Sequence, residues 1–135
     1  MPADTGPEPA LDPSVVADLH RAQVEYGNPE FIAQLVELFE AHAPTRLARI
    51  CEAVAARDGA TLGHTAHTLK SNCGMLGART LAALCARLEQ YGDAGACGEA
   101  AALLEDAQRE LARVLAALKE LLSHQKTEVR SQESE

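Results

Sequence analysis

His67 lies in the run Ala66-His67-Thr68-Leu69-Lys70-Ser71, and its placement there is informative. At about 100° per residue, Leu62, Ala66, Leu69, Cys73 and Leu76 fall within about 40° of one direction, the apolar face of a helix. His67 points about 140° away from it. On the histidine's side stand Lys70, Ser71 and Gly74 at i+3, i+4 and i+7, with Gly63 and His64 at i−4 and i−3. Neutral imidazole is nucleophilic near pH 7, its unperturbed pKa being about 6.5. A histidine held out to solvent on a rigid helix, with small neighbours and a lysine one turn on, could accept and present a phosphoryl group.

The elements that must position this residue read as helices throughout. The chain has 135 residues, 47% apolar but only 3% aromatic, with no Trp. Leu and Ala must therefore fill the core, which suits closely packed helices better than a sheet. Asp12-Pro13 is an N-cap followed by proline at the first helical position, and a short helix to about Glu25 follows before Gly27. Asn28-Pro29-Glu30 repeats the signal, and Phe31, Leu35, Leu38 and Phe39 form an apolar stripe to about His42. Pro44 is expected to end or kink that helix. Leu47, Ile50, Cys51 and Val54 then continue an apolar face to about Arg57.

Asp58-Gly59 opens the His67 helix, which runs to about Leu76, and Gly77 makes a tight turn. Leu81, Leu84, Cys85 and Leu88 define the next amphipathic helix, ending at Tyr91-Gly92, with Gly92 to Gly98 as a loop. The last helix spans roughly Glu99 to Ser123. In it Leu104, Leu111 and Leu118, and likewise Ala107, Val114 and Leu121, recur at heptad spacing, a seam for packing along a bundle rather than for a dimeric coiled coil. The expected fold is all-α: an antiparallel four-helix bundle with additional short N-terminal helices. Residues 1–11 are expected to be a disordered lead, residues 12–124 the bundle, and residues 125–135 a polar, frayed tail.

Charge and composition narrow the partners. The net charge of −8 argues against nucleic acid, which needs clustered Lys and Arg. No apolar run approaches the length of a membrane span, and the polar, proline-containing start lacks a signal-peptide core. Residues 59–88 contain no Asp or Glu but carry Lys70, Arg79 and Arg87, so a locally positive face around His67 is expected to attract an anionic group or an acidic partner. Cys51, Cys73 and Cys85 look like small core residues of a reduced, cytoplasmic protein. With Cys97 they form no C-x-x-C pair, and the spacing signals of a zinc site are missing. His64 and His67 lack a third ligand, so no metal is expected, and His64 is expected to be solvated surface.

Three further segments make the chain recognisable: Leu76-Gly77-Ala78; Leu81, Leu84-Cys85 and Leu88-Glu89; and the upstream run Phe31 to Asp58 with its Leu-Phe-Glu and Ala-Pro-Thr-Arg-Leu pieces. Together with Ala66 to Ser71 they resemble the histidine-containing phosphotransfer (HPt) domain of multistep phosphorelays over roughly residues 12–122. The resemblance implies that His67 accepts a phosphoryl group from a receiver-domain aspartyl phosphate and passes it to another receiver. Lys70 would neutralise phosphoryl oxygens and Ser71, where many family members have glycine, would add a hydroxyl. Glu89 matches a Gln or Glu that hydrogen-bonds the imidazole, holding Nδ1–H and leaving Nε2 free to attack. Gly63, Ser71 and Gly74 would keep the surface around the ring low, with His64, Thr68 and Met75 at the docking face and Gly77 allowing a close helix-to-helix turn. Mg²⁺ and the acidic pocket would belong to the receiver, so no cofactor of this chain's own is expected.

Other classes fit less well. A sensor kinase core would need a Gly-rich nucleotide loop, which is absent, and usually an acid after the histidine, where Thr68 stands. The expectation is a monomeric phosphocarrier without autonomous kinase activity, working with receiver domains or a hybrid sensor kinase. The alternative is a helical adaptor that binds such domains without phosphotransfer. A metal-binding bundle would need Glu-x-x-His pairs on facing helices, which are not found.

Overall fold

The computed structural model describes residues 8–133, with side chains described to Gln125, and every regular element among them is helical. The helices are α1 (Pro13–Glu25), α2 (Phe31–Ala55), α3 (Gly59–Leu76), α4 (Arg79–Asp93), the four-residue α5 (Cys97–Ala100) and α6 (Leu104–Glu133), with a single 3₁₀ turn at Ala101–Leu103. Helices α2, α3, α4 and α6 form the four-helix bundle. Helix α1 has no fully buried residue and lies against α2 and α3. The core takes Ile32, Val36 and Ile50 from α2, Leu62, Leu69 and Cys73 from α3, Leu81, Cys85 and Leu88 from α4, and Val114 and Leu118 from α6. The heptad positions of α6 thus pack inside the chain's own bundle.

The helix starts follow the local chemistry. Asp12 caps α1 by accepting from Ser14 N at 2.9 Å, with Pro13 at the first helical position. Asp58 caps α3 through Thr61 N at 3.1 Å and the Thr61 hydroxyl at 2.6 Å. These bonds hold both carboxyls below the usual aspartate range, for Asp12 chiefly through the Ser14 amide and for Asp58 chiefly through the Thr61 hydroxyl. Because the folded values are lowered, both caps act at full strength above the ordinary aspartate pKa of about 3.9 and fade as pH falls through the lowered values. Thermal unfolding should therefore be insensitive to these groups near neutrality and lose stability below about pH 4. The loss should be smaller in Asp12→Asn and Asp58→Asn variants, which a melting series across pH would check.

Several boundaries differ from the sequence expectation. Pro44 does not end its helix: α2 runs on through it from Phe31 to Ala55, and the two expected segments are one. The reason is its position: Pro44 is exposed while Ala43, Leu47 and Ile50 stay buried, so the lost backbone bond lies on the wet side and the packing of the inner face outweighs it. Leu38 is 58% exposed rather than part of the inner stripe. Helix α4 continues through Gly92 to Asp93, and a short helix and a 3₁₀ turn precede α6. Helix α6 runs to Glu133, through most of the segment expected to fray. At the other end residues 8–11 lie on the bundle, with Ala10 and Leu11 packed against the core and the Glu8 carbonyl accepting from Arg113 Nη2 at 2.7 Å. Residues 1–7 of the expected lead and residues 134–135 of the expected tail lie outside the described residues.

The tightest contact in the bundle is between α3 and α4, and glycine makes it possible. A Cβ placed on Gly92 would lie 2.5 Å from Gly63 N and 2.8 Å from Gly59 O, so the two backbones touch without side chains between them. At the far end Gly77 closes α3 in the left-handed region (φ +76°) and donates back to the carbonyl of Gly74. The next chain segment, Ala78 onward, then returns directly as α4.

Candidate functional site

His67 stands on the outer face of α3 with its side chain 58% exposed. Its ring nitrogen Nδ1 lies 3.0 Å from Oε2 of Glu89, which comes from α4. The other carboxylate oxygen, Oε1, accepts from Lys70 Nζ at 2.7 Å. One carboxylate therefore bridges the imidazole and the ammonium. Sequence separations of 22 and 19 residues are closed here by the Gly77 turn and the glycine contact, which set α4 beside α3 at this height.

The electrostatics decide the tautomer. The Lys70 ammonium, hydrogen-bonded to Glu89, holds that carboxyl below its ordinary range; partial burial opposes this, and the bond to His67 adds to it. Glu89 is thus ionised at neutral pH and can only accept hydrogen bonds. Nδ1 must then carry the proton and donate it. In the neutral ring this leaves the Nε2 lone pair as the free nucleophile. The arrangement can hold a ring in one orientation and offer its outer nitrogen to another molecule.

The other expected site residues fall into different environments. Gly74 is open, with nothing within 4 Å of where a Cβ would stand. Gly63 is not part of the open surface: it is buried, and a Cβ there would meet Asp93 Oδ1 at 2.7 Å, so its smallness serves the contact with α4. The Ser71 hydroxyl donates to the His67 carbonyl at 3.2 Å, and the Thr68 hydroxyl to the His64 carbonyl at 3.2 Å, so both are turned onto their own helix. His64 and Met75 are exposed, Met75 at 57%. Gly77 is buried at the turn, where Val15 of α1 packs on it.

The acid-free window is compensated from outside. Arg79 donates to Asp12 at 3.1 Å and Lys70 to Glu89, which leaves Arg87 as the cation of that window with no ion pair among the described residues. The four cysteines are free thiols; Cys73, Cys85 and Cys97 are buried, whereas Cys51, expected in the core, is half-buried. The Cys85 thiol and burial together push the Cys73 thiol well up, so it stays protonated and unreactive. No group of three or more His, Cys, Asp or Glu among the described residues could hold a metal ion. Among the same residues no helix is long and apolar enough to cross a membrane.

Sequence reasoning missed two features. One is Lys70's pairing with the same carboxylate as His67. The spacing Lys70 to Glu89 carries no local signal for it, but placing both His67 and Lys70 on the side of α3 that meets α4 would have suggested it. The other is an apolar groove between α2 and α3, lined among others by Leu38, which the stripe pattern assigned to the interior.

A four-helix bundle with an outward histidine braced by a carboxylate from the next helix is the arrangement that the resemblance to phosphotransfer domains implied. The comparisons agree: the family model described as Hpt domain matches residues 34–124, and the chain belongs to that family of histidine phosphotransfer proteins of phosphorelays. Among solved structures it is similar to histidine-containing phosphotransfer protein B (HptB) from Pseudomonas aeruginosa PAO1, with TM-score 0.77 and 31% identity, covering 87% of this chain and 98% of that one. No curated protein matches the chain in sequence.

Proposed function

We propose that this chain is a phosphocarrier that takes a phosphoryl group onto Nε2 of His67 from the aspartyl phosphate of a receiver domain and hands it to a second receiver. The observation that carries the reading is the bridge His67 Nδ1–Glu89–Lys70, with an exposed imidazole whose outer nitrogen is free. In the forward step the Nε2 lone pair attacks phosphorus in line, the N–P bond forms, and the P–O bond to the aspartate breaks with its electron pair leaving as carboxylate. No base is needed, because Nε2 carries no proton. Positive charge develops on the ring, and the Nδ1–H faces an anionic carboxylate that stabilises it.

Lys70 is 36% exposed and sits one turn from His67, so releasing one bond to Glu89 lets it reach the phosphoryl oxygens. Receiver docking uses the His67 face with His64, Thr68, Gly74 and Met75 around it. The magnesium ion and acidic pocket belong to the receiver, and this chain brings no cofactor. It acts as a monomer in the cytoplasm, whose reducing conditions suit four free thiols.

The test is transfer of radiolabel from an aspartyl-phosphorylated receiver. An acid-labile, alkali-stable label on this chain, absent when it is incubated with ATP alone, is the expected result. Binding to receivers without any label would favour the adaptor reading instead. The role of Glu89 has its own outcome. Glu89→Ala should slow transfer about 10–100-fold, the worth of one charge-assisted hydrogen bond. Glu89→Gln should slow it less, because the amide oxygen still accepts from Nδ1–H. Single-turnover kinetics at saturating receiver would show the order wild type, Gln, Ala.

A further inference from the structure

Beside the His67 face, α2 and α3 leave a groove of ≈ 160 Å³, enough for one large apolar side chain. Phe39 and Leu76 form its floor, and Leu38 and Met75 stand on its rims at 58% and 57% exposure. These two rims are among only four large apolar side chains that are strongly exposed in the described residues, and they flank one groove. Asn72 lines it too, and its buried amide oxygen has no hydrogen-bond partner, leaving an acceptor there unused.

Charge gives the groove a direction. Arg46 lines it and makes no ion pair or hydrogen bond among the described residues, unlike Lys70 and Arg79. No Asp or Glu occurs from Ala41 to Cys51 on α2, and none in residues 59–88. The two acid-free stretches meet here, on a chain whose net charge is −8. Since α2 and α3 run antiparallel, Arg46 lies toward the His67 end of the groove and Leu35 and Leu76 toward the other. Met75 follows His67 by eight residues, about 12 Å along the helix, within the footprint of one docked domain.

Resting on the function proposed above, we propose that this groove selects the receiver: it takes an apolar side chain that the receiver presents next to a carboxylate, and Arg46 pairs with that carboxylate. Arg46 and Leu38 are then specificity-determining residues that set how tightly a receiver docks. They do not touch the reacting atoms. A neighbouring copy of this chain seated in the groove would instead cover the approach to His67.

The experiment measures the rate of phosphotransfer against receiver concentration for wild type, Leu38→Asp, Arg46→Glu and Arg46→Lys. Labelling of each by phosphoramidate, a small donor that needs no docking, runs in parallel. Leu38→Asp and Arg46→Glu should raise the half-saturating receiver concentration about tenfold or more, with the saturated rate nearly unchanged. Arg46→Lys should recover part of the loss, and phosphoramidate labelling should be equal in all four. Unchanged half-saturation in both variants would overturn the groove proposal while leaving the His67 function standing. Failure of wild type to take label from any receiver, with phosphoramidate labelling intact, would overturn the function and the proposal together. A concentration-dependent dimer of wild type that Leu38→Asp abolishes would assign the groove to a second copy and also overturn it.

Discussion

His67→Gln is expected to remove receiver-dependent labelling completely while leaving the fold intact. The glutamine amide nitrogen has no available lone pair, so there is no nucleophile to form the N–P bond. Yet glutamine can still donate to Glu89, and Lys70 keeps its partner, so the bridge between α3 and α4 survives in altered form. The side chain is 58% exposed and contributes nothing to the core, so stability should change by no more than about 0.5 kcal/mol. Label measured by acid and alkali treatment, beside a thermal melt, checks both halves. Residual alkali-stable label on the variant would place the acceptor elsewhere, and His64, exposed one turn away, would be the first residue to replace next.

Gly92→Ala is the second large effect, and it acts on stability first. The added methyl would meet backbone on both sides: Gly63 N at 2.5 Å, Gly59 O and Gly63 Cα at 2.8 Å. None of these atoms belongs to a flexible side chain, so α3 and α4 must part or the last turn of α4 must unwind. Overpacking of this kind costs about 1–3 kcal/mol, and backbone contacts put Gly92 at the upper end. The control is Gly74→Ala, on the same helix pair but in open space, where better helix propensity should stabilise by about 0.5–1 kcal/mol. Urea denaturation of both would separate the cases by sign. Because Glu89 sits less than one turn before Gly92, the variant should also transfer phosphoryl groups more slowly than wild type. A melt indistinguishable from wild type would show that the helices are not in backbone contact.

Much of this molecule follows from short-range pattern. The outward position of His67 is a matter of angle on one helix, and the apolar residues that face the other way, Leu62, Ala66, Leu69, Cys73 and Leu76, are all buried. The cap at Asp12, the helix boundary at Asp58-Gly59 and the turn at Gly77 are local chemistry and were legible for that reason. Glu89 was reached only through family resemblance, because nothing in its own surroundings points to a residue 22 positions earlier. Gly63 shows the limit most clearly. On a helical wheel it shares the histidine's side, but the wheel does not show that α4 covers that flank with Gly92 and Asp93. The continuity of α2 past Pro44 and the exposure of Leu38 were hidden for the complementary reason: each depends on which face of α2 meets water, and a long apolar stripe does not disclose its own edges.

The division of α3 into a chemical face and a packing face has a consequence for the protein's history. Replacements inside the core change stability but do not touch the imidazole, its carboxylate or the surface a partner sees. The interior can therefore drift by compensating apolar exchanges under one set of constraints, while the exterior adapts to new partners under another. The places where both constraints fall on the same few atoms are the glycine contact and the Glu89 bridge, and lineages should resist substitution there longest.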